Sequence, residues 1–231
     1  MADGQLEAPY SMLADYAALA PQAREVLDCW FGAPDSAAFG KEHKRWFSRD
    51  HAFDAMLRER FGALIDAANG VADGAVDSTT NDAPDCTRCG AALDDWQTTP
   101  LGALALVIVL DQFSRNCHRN TPRAFAADQK ALRLAQRLIA SGADRLLPSV
   151  HHRAFAYLPF EHDETLASQR ESLRLFGQLR AEPGGESYYR SAVRHAKVIE
   201  RFGRFPHRNA VLGRASSAEE TEFLRKPGSS F

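Results

Sequence analysis

Apolar residues recur at steps of three and four along almost the whole chain, and no segment sustains the strict alternation that a half-buried strand requires. That period restricts the fold to helices packed on helices. Pro21 suits a first helical turn and Gly32 a stop, which predicts a helix over 21–31. Ser48 is placed to cap a second, whose stripe of Phe53, Met56, Leu57, Phe61, Leu64, Ile65 and Ala68 lies on one face until Asn69-Gly70. Thr99-Pro100 opens a helix over about 101–116, and Thr121-Pro122 repeats the device for one ending at Ser141-Gly142. Ser149 caps a short helix that Pro159 is expected to stop, and helices follow over about 163–179 and 186–202. Ser217 and Glu220 have the spacing of a capping box for the last helix. Short turns between these elements imply an all-α fold of antiparallel helix pairs, stacked as a bundle or a short solenoid, without a strict repeat signature.

Residues 1–20 read as a flexible N-terminal segment and 21–231 as a single all-helical domain. A loop insertion interrupts it at about 70–90, where Gly, Pro and Asp replace large apolar residues. With 45% hydrophobic and 25% charged residues the composition is that of an ordinary globular protein. A net charge of −2 lacks the basic footprint of nucleic-acid binding, so no nucleic-acid partner is expected. The apolar run over 101–110 is about half the ~20 residues of a membrane span and runs straight into Asp111-Gln112, which makes it a buried core helix and argues against a membrane partner. The first residues carry Asp3, Glu7 and Asp15 rather than a basic start and an apolar stretch, so no targeting peptide is expected. Scattered cysteines at 29, 86, 89 and 117 suit a reducing compartment, and the expected location is the cytoplasm. Cys86-Thr87-Arg88-Cys89 lacks a second pair, so no metal is expected there; no cofactor fingerprint is visible, and nothing in the pattern fixes an oligomeric state.

The informative residues are polar and sit where the apolar period says the chain faces inward. Asp111, Arg115 and Arg119 are four apart, Gln112 and Asn116 form the adjacent row, and together they extend the face begun by Leu104 and Ile108. An Asp111–Arg115 intrahelical ion pair accounts for Asp111 but not for Asn116 and Arg119. Glu161, His162 and Glu164 stand at the expected start of a helix. They either cap it or bring two carboxylates and an imidazole to a proton-transfer site; a hard divalent metal is the weaker option because no ligand set is completed. His195 lies on the seam of Tyr188, Ala192, Ile199 and Phe202 and points inward, as a satisfied core histidine or as a catalyst. Arg201, Arg204, His207, Arg208, Asn209 and Arg214 are interleaved with Phe202, Phe205 and Pro206. Planar guanidiniums in a packed loop suit carboxylate or phosphate, and the alternative is a solvated basic loop. His151-His152 reads as a solvent-facing pair.

Four runs carry a resemblance: Trp30-Phe31-Gly32, Leu110-Asp111-Gln112-Phe113-Ser114-Arg115-Asn116, Pro159-Phe160-Glu161-His162-Asp163-Glu164, and Arg201 to Asn209 with Leu212-Gly213-Arg214. In this order they resemble the domain-of-unknown-function family nine-two-four over about 27–224. The resemblance implies an all-α fold similar to tetratricopeptide-repeat superhelices and supplies no established reaction. It supports Asp111, Gln112, Arg115, Asn116, Glu161, His162, Glu164, His195, Arg201, Arg204, Pro206, His207, Arg208, Asn209 and Arg214 as motif positions. Ser114 stands where that family usually has proline, Asp163 where it has serine and Cys29 where it has an aromatic residue. The 70–90 stretch looks like an expansion of a shorter turn, which leaves Cys86 and Cys89 idiosyncratic.

Three functions fit these residues. One is a binding protein that holds an anionic small molecule or an acidic peptide end through Arg115, Arg119, Arg204 and Arg208, with Glu161 and His162 setting orientation. The second is an enzyme with His162 or His195 as general base, Glu164 or Asp111 orienting it, and arginines lining an anion site. The third is a structural network of internal ion pairs.

Overall fold

The computed structural model describes residues 7–70 and 93–230, and among them every regular element is helical. The loop insertion and the pair Cys86 and Cys89 lie largely outside the described residues. The chain runs through α1 (Glu7–Ala17), α2 (Pro21–Phe31), α3 (His51–Asn69), α4 (Pro100–Val107), a π-helical segment (Ile108–Phe113), α5 (Ser114–Cys117), α6 (Asp128–Ala140), α7 (Val150–His162), α8 (Leu166–Leu179), α9 (Gly185–Phe202) and α10 (Ala218–Leu224). Part of the N-terminal stretch read as flexible is therefore helical, and Tyr16 on α1 donates a 2.5 Å hydrogen bond to Asp28 on α2. No helix among the described residues is long and apolar enough to cross a membrane.

The core forms around α4 and α7. Every residue of α4 from Leu101 to Val107 is buried, as the apolar run required. Trp30 and Phe31 of α2, Trp46, Phe113 and Phe155 of α7 make an aromatic centre, with Trp30 edge-on to Phe155 at 5.4 Å and the Trp46 indole donating to the Trp30 carbonyl at 3.0 Å. The helices α7, α8 and α9 pack in succession through short connections.

Helix starts and stops follow local chemistry at most ends. Thr99 accepts from the Gly102 amide, Ser149 from His152, and Ser217 and Glu220 form a reciprocal capping box. Five expectations fail. Asp50, not Ser48, caps α3, because its carboxylate reaches the amides of both Ala52 and Phe53. Thr121-Pro122 opens only a 3-10 turn (Pro122–Phe125), and α6 starts later, at Asp128. Pro159 does not stop α7: seven consecutive residues from Ala154 to Phe160 are buried, and their packing outweighs the one backbone bond that proline removes. His151 and His152 are buried rather than solvent-facing, His152 stacking on Phe31 at 4.0 Å and His151 paired with the Tyr188 hydroxyl at 2.8 Å. Since α7 runs on to His162, Glu161 and His162 end a helix rather than begin one; Thr165 caps α8.

A buried carboxylate–histidine site

Asp111 is the deepest charge of the site. It sits in the π-helical segment, where the wider turn ends the α-helical register of α4 and carries Asp111 and Gln112 into the core, both buried. A lone carboxylate there would cost several kcal/mol, and three donors, one from each of three residues, surround it. Gln112 Nε2 donates to Oδ2 at 2.5 Å, His162 Nδ1 meets Oδ1 at 2.7 Å, and Arg115 Nη1 lies 3.1 Å from Oδ1 and 3.2 Å from the Asp111 carbonyl. Burial pushes the Asp111 carboxyl up, but Arg115 and His162 outweigh it and hold the group well below the usual carboxylate range. Asp111 is therefore an anion. Facing it, His162 must carry its hydrogen on Nδ1, which leaves the Nε2 lone pair turned away from the carboxylate. Burial lowers the affinity of His162 for a second proton, against the pull of Asp111. The side chain keeps 15% of its surface exposed while that of Asp111 keeps 1%.

Arg115 and Arg208 extend this centre. Arg115 forks onto Asp128 at the first turn of α6, with Nη1–Oδ1 at 2.7 Å and Nη2–Oδ2 at 3.0 Å, where the helix dipole also favours a negative charge. Arg208 comes from the 3-10 turn Pro206–Arg208, lies 3.4 Å from the same Asp128, and donates to the His162 carbonyl at 2.9 Å. Its guanidinium is held between the rings of Phe125 and Phe205, at 4.8 and 4.6 Å. Burial, with Arg115 adding, brings Arg208 down to about 10. It stays charged, and its buried Nε finds no hydrogen-bond partner among the described residues.

A second carboxylate–histidine pair adjoins the first. Glu161 Oε1 lies 2.9 Å from His195 Nδ1 and accepts from Ser191 Oγ at 2.9 Å. His195 Nδ1 also faces the Ser191 carbonyl at 3.0 Å; both partners are acceptors, so this nitrogen too bears hydrogen. The His162 and His195 rings are 6.3 Å apart. Below them, Glu164 accepts the Phe205 amide at 2.7 Å and two guanidinium donors of Arg214 at 2.6 and 2.9 Å. Arg214 in turn donates to Asn209, whose amide reaches Ser216. Glu164 and Arg214 thus clip the loop to α7's end. Gly203 permits the loop to leave α9 with a φ of 68°. His207 lies on the loop near His195, and burial, with Arg208 and His195 adding, brings it down to about 3, so it is neutral.

The remaining residues singled out from the sequence do not join this cluster by any direct bond described. Asn116 and Arg119 both bind Asp54 on α3, Arg119 through a fork of 2.6 and 3.1 Å. Arg204 forks onto Glu220, the capping-box acid, and holds that carboxyl down at about 2. Arg201 pairs with Glu219 on the surface. Sequence reasoning missed Asp54, Asp128 and Ser191. Asp54 was findable, since it shares the buried helical face of Leu57 and Phe61. Asp128 was hidden by placing the helix start at Pro122. Among the described residues no group of three or more His, Cys, Asp or Glu side chains is arranged to hold a metal ion.

An all-α bundle with a paired carboxylate–histidine centre at one helix end is thus the class that fold and site define. The chain belongs to the DUF924 family, bacterial proteins of unknown function, whose profile matches residues 26–228. A solved structure of a protein of unknown function from Agrobacterium tumefaciens is similar to it, with a TM-score of 0.69 and 33% identity over 88% of this chain and 96% of that one. No curated protein matches the chain.

Proposed function

We propose that the protein is an acid–base enzyme in which His162 Nε2 removes a proton from a small bound substrate, with Asp111 fixing the ring and stabilising the imidazolium as it forms. The observation that carries this reading is the 2.7 Å contact between His162 Nδ1 and a fully buried Asp111, on a histidine that keeps part of its surface open. A catalytic base needs this arrangement: one nitrogen tied to an acceptor, the other free to take a proton near neutral pH. Arg208 and Arg115, in contact with His162 and its carboxylate, are the cations best placed to favour an anionic substrate. Arg119, Arg201, Arg204 and Arg214 pair with other carboxylates, Asp54, Glu219, Glu220 and Glu164, away from the Asp111–His162 contact, and are less well placed for that role.

Turnover of a panel of small phosphate esters, carboxylic esters and carboxylates, followed for the native protein and His162→Gln, tests the reading. At least one compound should be converted, and the variant should be slower by about 10²–10⁴-fold. No conversion by the native protein, or an equal rate in the variant, contradicts it. The saturation of those four arginines favours a second reading, a purely structural ion-pair network, under which His162→Gln changes stability alone.

A further inference from the structure

The Trp30-Phe31-Gly32 run and the His151-His152 pair take no part in the carboxylate–histidine site, which lies at the other end of α7, ~15 Å along its axis. Over them passes the segment 32–47, which leaves α2 through Gly32 at a φ of 82° and holds only the 3-10 turn Lys44–Trp46 as a regular element. Its backbone hydrogen bonds are turns that reach three residues back: Ser36 to Ala33, Phe39 to Ser36, Lys41 to Ala38, Trp46 to His43 and Phe47 to Lys44. Rings fasten it to the core. Phe39 lies 5.2 Å from the His152 ring, which stacks on Phe31 at 4.0 Å. Trp46 lies 5.3 Å from His151 and 4.8 Å from Phe155, and its indole donates to the Trp30 carbonyl.

Two of those fastenings are imidazoles that the fold accepts when neutral. His152 is fully buried; its Nδ1 meets Ser149 Oγ at 2.8 Å, and its Nε2 has no hydrogen-bond partner among the described residues. An imidazolium needs acceptors for two N–H groups, and one serine hydroxyl stands there. His151 pairs through Nδ1 with the Tyr188 hydroxyl at 2.8 Å. The charge acting on His152 is that of His151, while Glu42 favours and His43 opposes a proton on His151. His43 in turn meets Arg45 at 3.0 Å. Burial, with His151 adding, brings His152 down to about 3, and burial lowers His151 as well. Contact of a charged ring with Phe31 recovers less than the hydration it loses.

We infer that residues 32–47 form an acid-released strap: a proton on His152, joined by one on His151, lifts Phe39 and Trp46 off α7, swings the segment about Gly32 and uncovers Phe31 and Phe155 while the rest of the bundle stays folded. The inference is independent of the reading of His162 as base. The closed strap keeps His152 neutral down to about 3, whereas the open strap gives the ring to water, where it takes a proton below about 6.5. Opening is therefore rare above that value and grows as pH falls through it. Between pH 7 and 5, one such histidine multiplies the open population by about 25-fold, and His151 adds to the effect.

The test is hydrogen exchange of the Trp46 amide and indole Nε1–H, followed by NMR of the full chain at pH 7 and pH 5 and corrected for intrinsic exchange rates. At both pH values Trp46 should be less protected than the amides of α4, and its protection should fall by about 25-fold or more on acidification. His152→Gln keeps a polar side chain that does not titrate, and should remove about 25-fold of that fall. Equal protection of Trp46 and α4 at both pH values would overturn the inference, since the segment would then open only with the whole molecule. A protection that holds steady from pH 7 to pH 5, or that falls as far in His152→Gln, would overturn it too. Should His152→Gln fail to fold, the two comparisons within the native protein still decide.

Discussion

At the scale of single residues, the structure turns on how each buried charge is compensated. Asp111 spends its lone pairs on Gln112, His162 and Arg115, so Asp111→Asn replaces an acceptor by a partial donor and leaves Arg115 with one counter-ion fewer. Denaturant unfolding should show a loss of about 3–5 kcal/mol, the range for breaking a buried pair from one side. His152 makes the opposite kind of prediction. It is completely buried against Phe31, and burial brings it down from 6.5 to about 3. Its neutral form is the one the fold accepts, so its stability contribution is full above the unfolded value and is lost as pH falls from there toward about 3. His152→Gln should therefore flatten the fall in unfolding free energy, read from urea titrations, between pH 7 and about 5, removing a loss of about 2 kcal/mol. An unchanged slope would contradict it. Neither histidine 151 nor 152 was legible as buried, because adjacent residues point about 100° apart and one is expected to face water. That expectation presumes an exposed face, and α7 is covered on both.

At the scale of elements, what could be read from the sequence was what local chemistry decides. Pro21, Thr99, Ser149 and the Ser217–Glu220 box set helix ends where they were expected, since a cap depends only on the next three residues. The π-helical segment and the passage of α7 through Pro159 were not legible, because each is sustained by tertiary packing over a lost or shifted backbone bond. Both matter for the site: one aims Asp111, and the other puts Glu161 and His162 at a helix end. Close packing of elements gives a sharper prediction at Gly185, the first residue of α9, where an added Cβ would lie 1.8 Å from the Leu179 carbonyl. Gly185→Ala must push α8 and α9 apart, and calorimetry should show a loss of roughly 1–3 kcal/mol, as for other overpacked contacts. An unchanged melting temperature would mean that the α8–α9 turn yields freely.

At the scale of the whole molecule, the site joins segments far apart in sequence: the π-helical segment, the start of α6, the end of α7, α9 and the loop after it. The sequence marked most of its members by polarity on inward faces, yet not their partners, because an ion pair between Arg208 and Asp128 or Arg119 and Asp54 leaves no local trace. Glu164 and Arg214 are the clip that holds the last segment in place. Arg214→Ala should raise hydrogen exchange from Gly203 onward while α4 and α7 keep their protection; uniform protection would show that the clip is dispensable. The assignment of His162 as a base held by Asp111 is tested most directly by the ring tautomer of His162, read from its two nitrogen shifts near neutral pH in the native protein and in Asp111→Asn. The expected result is hydrogen on Nδ1 alone in the native protein and a shift toward Nε2–H in the variant. Hydrogen on Nε2 in the native protein, or the same tautomer in both, would contradict it.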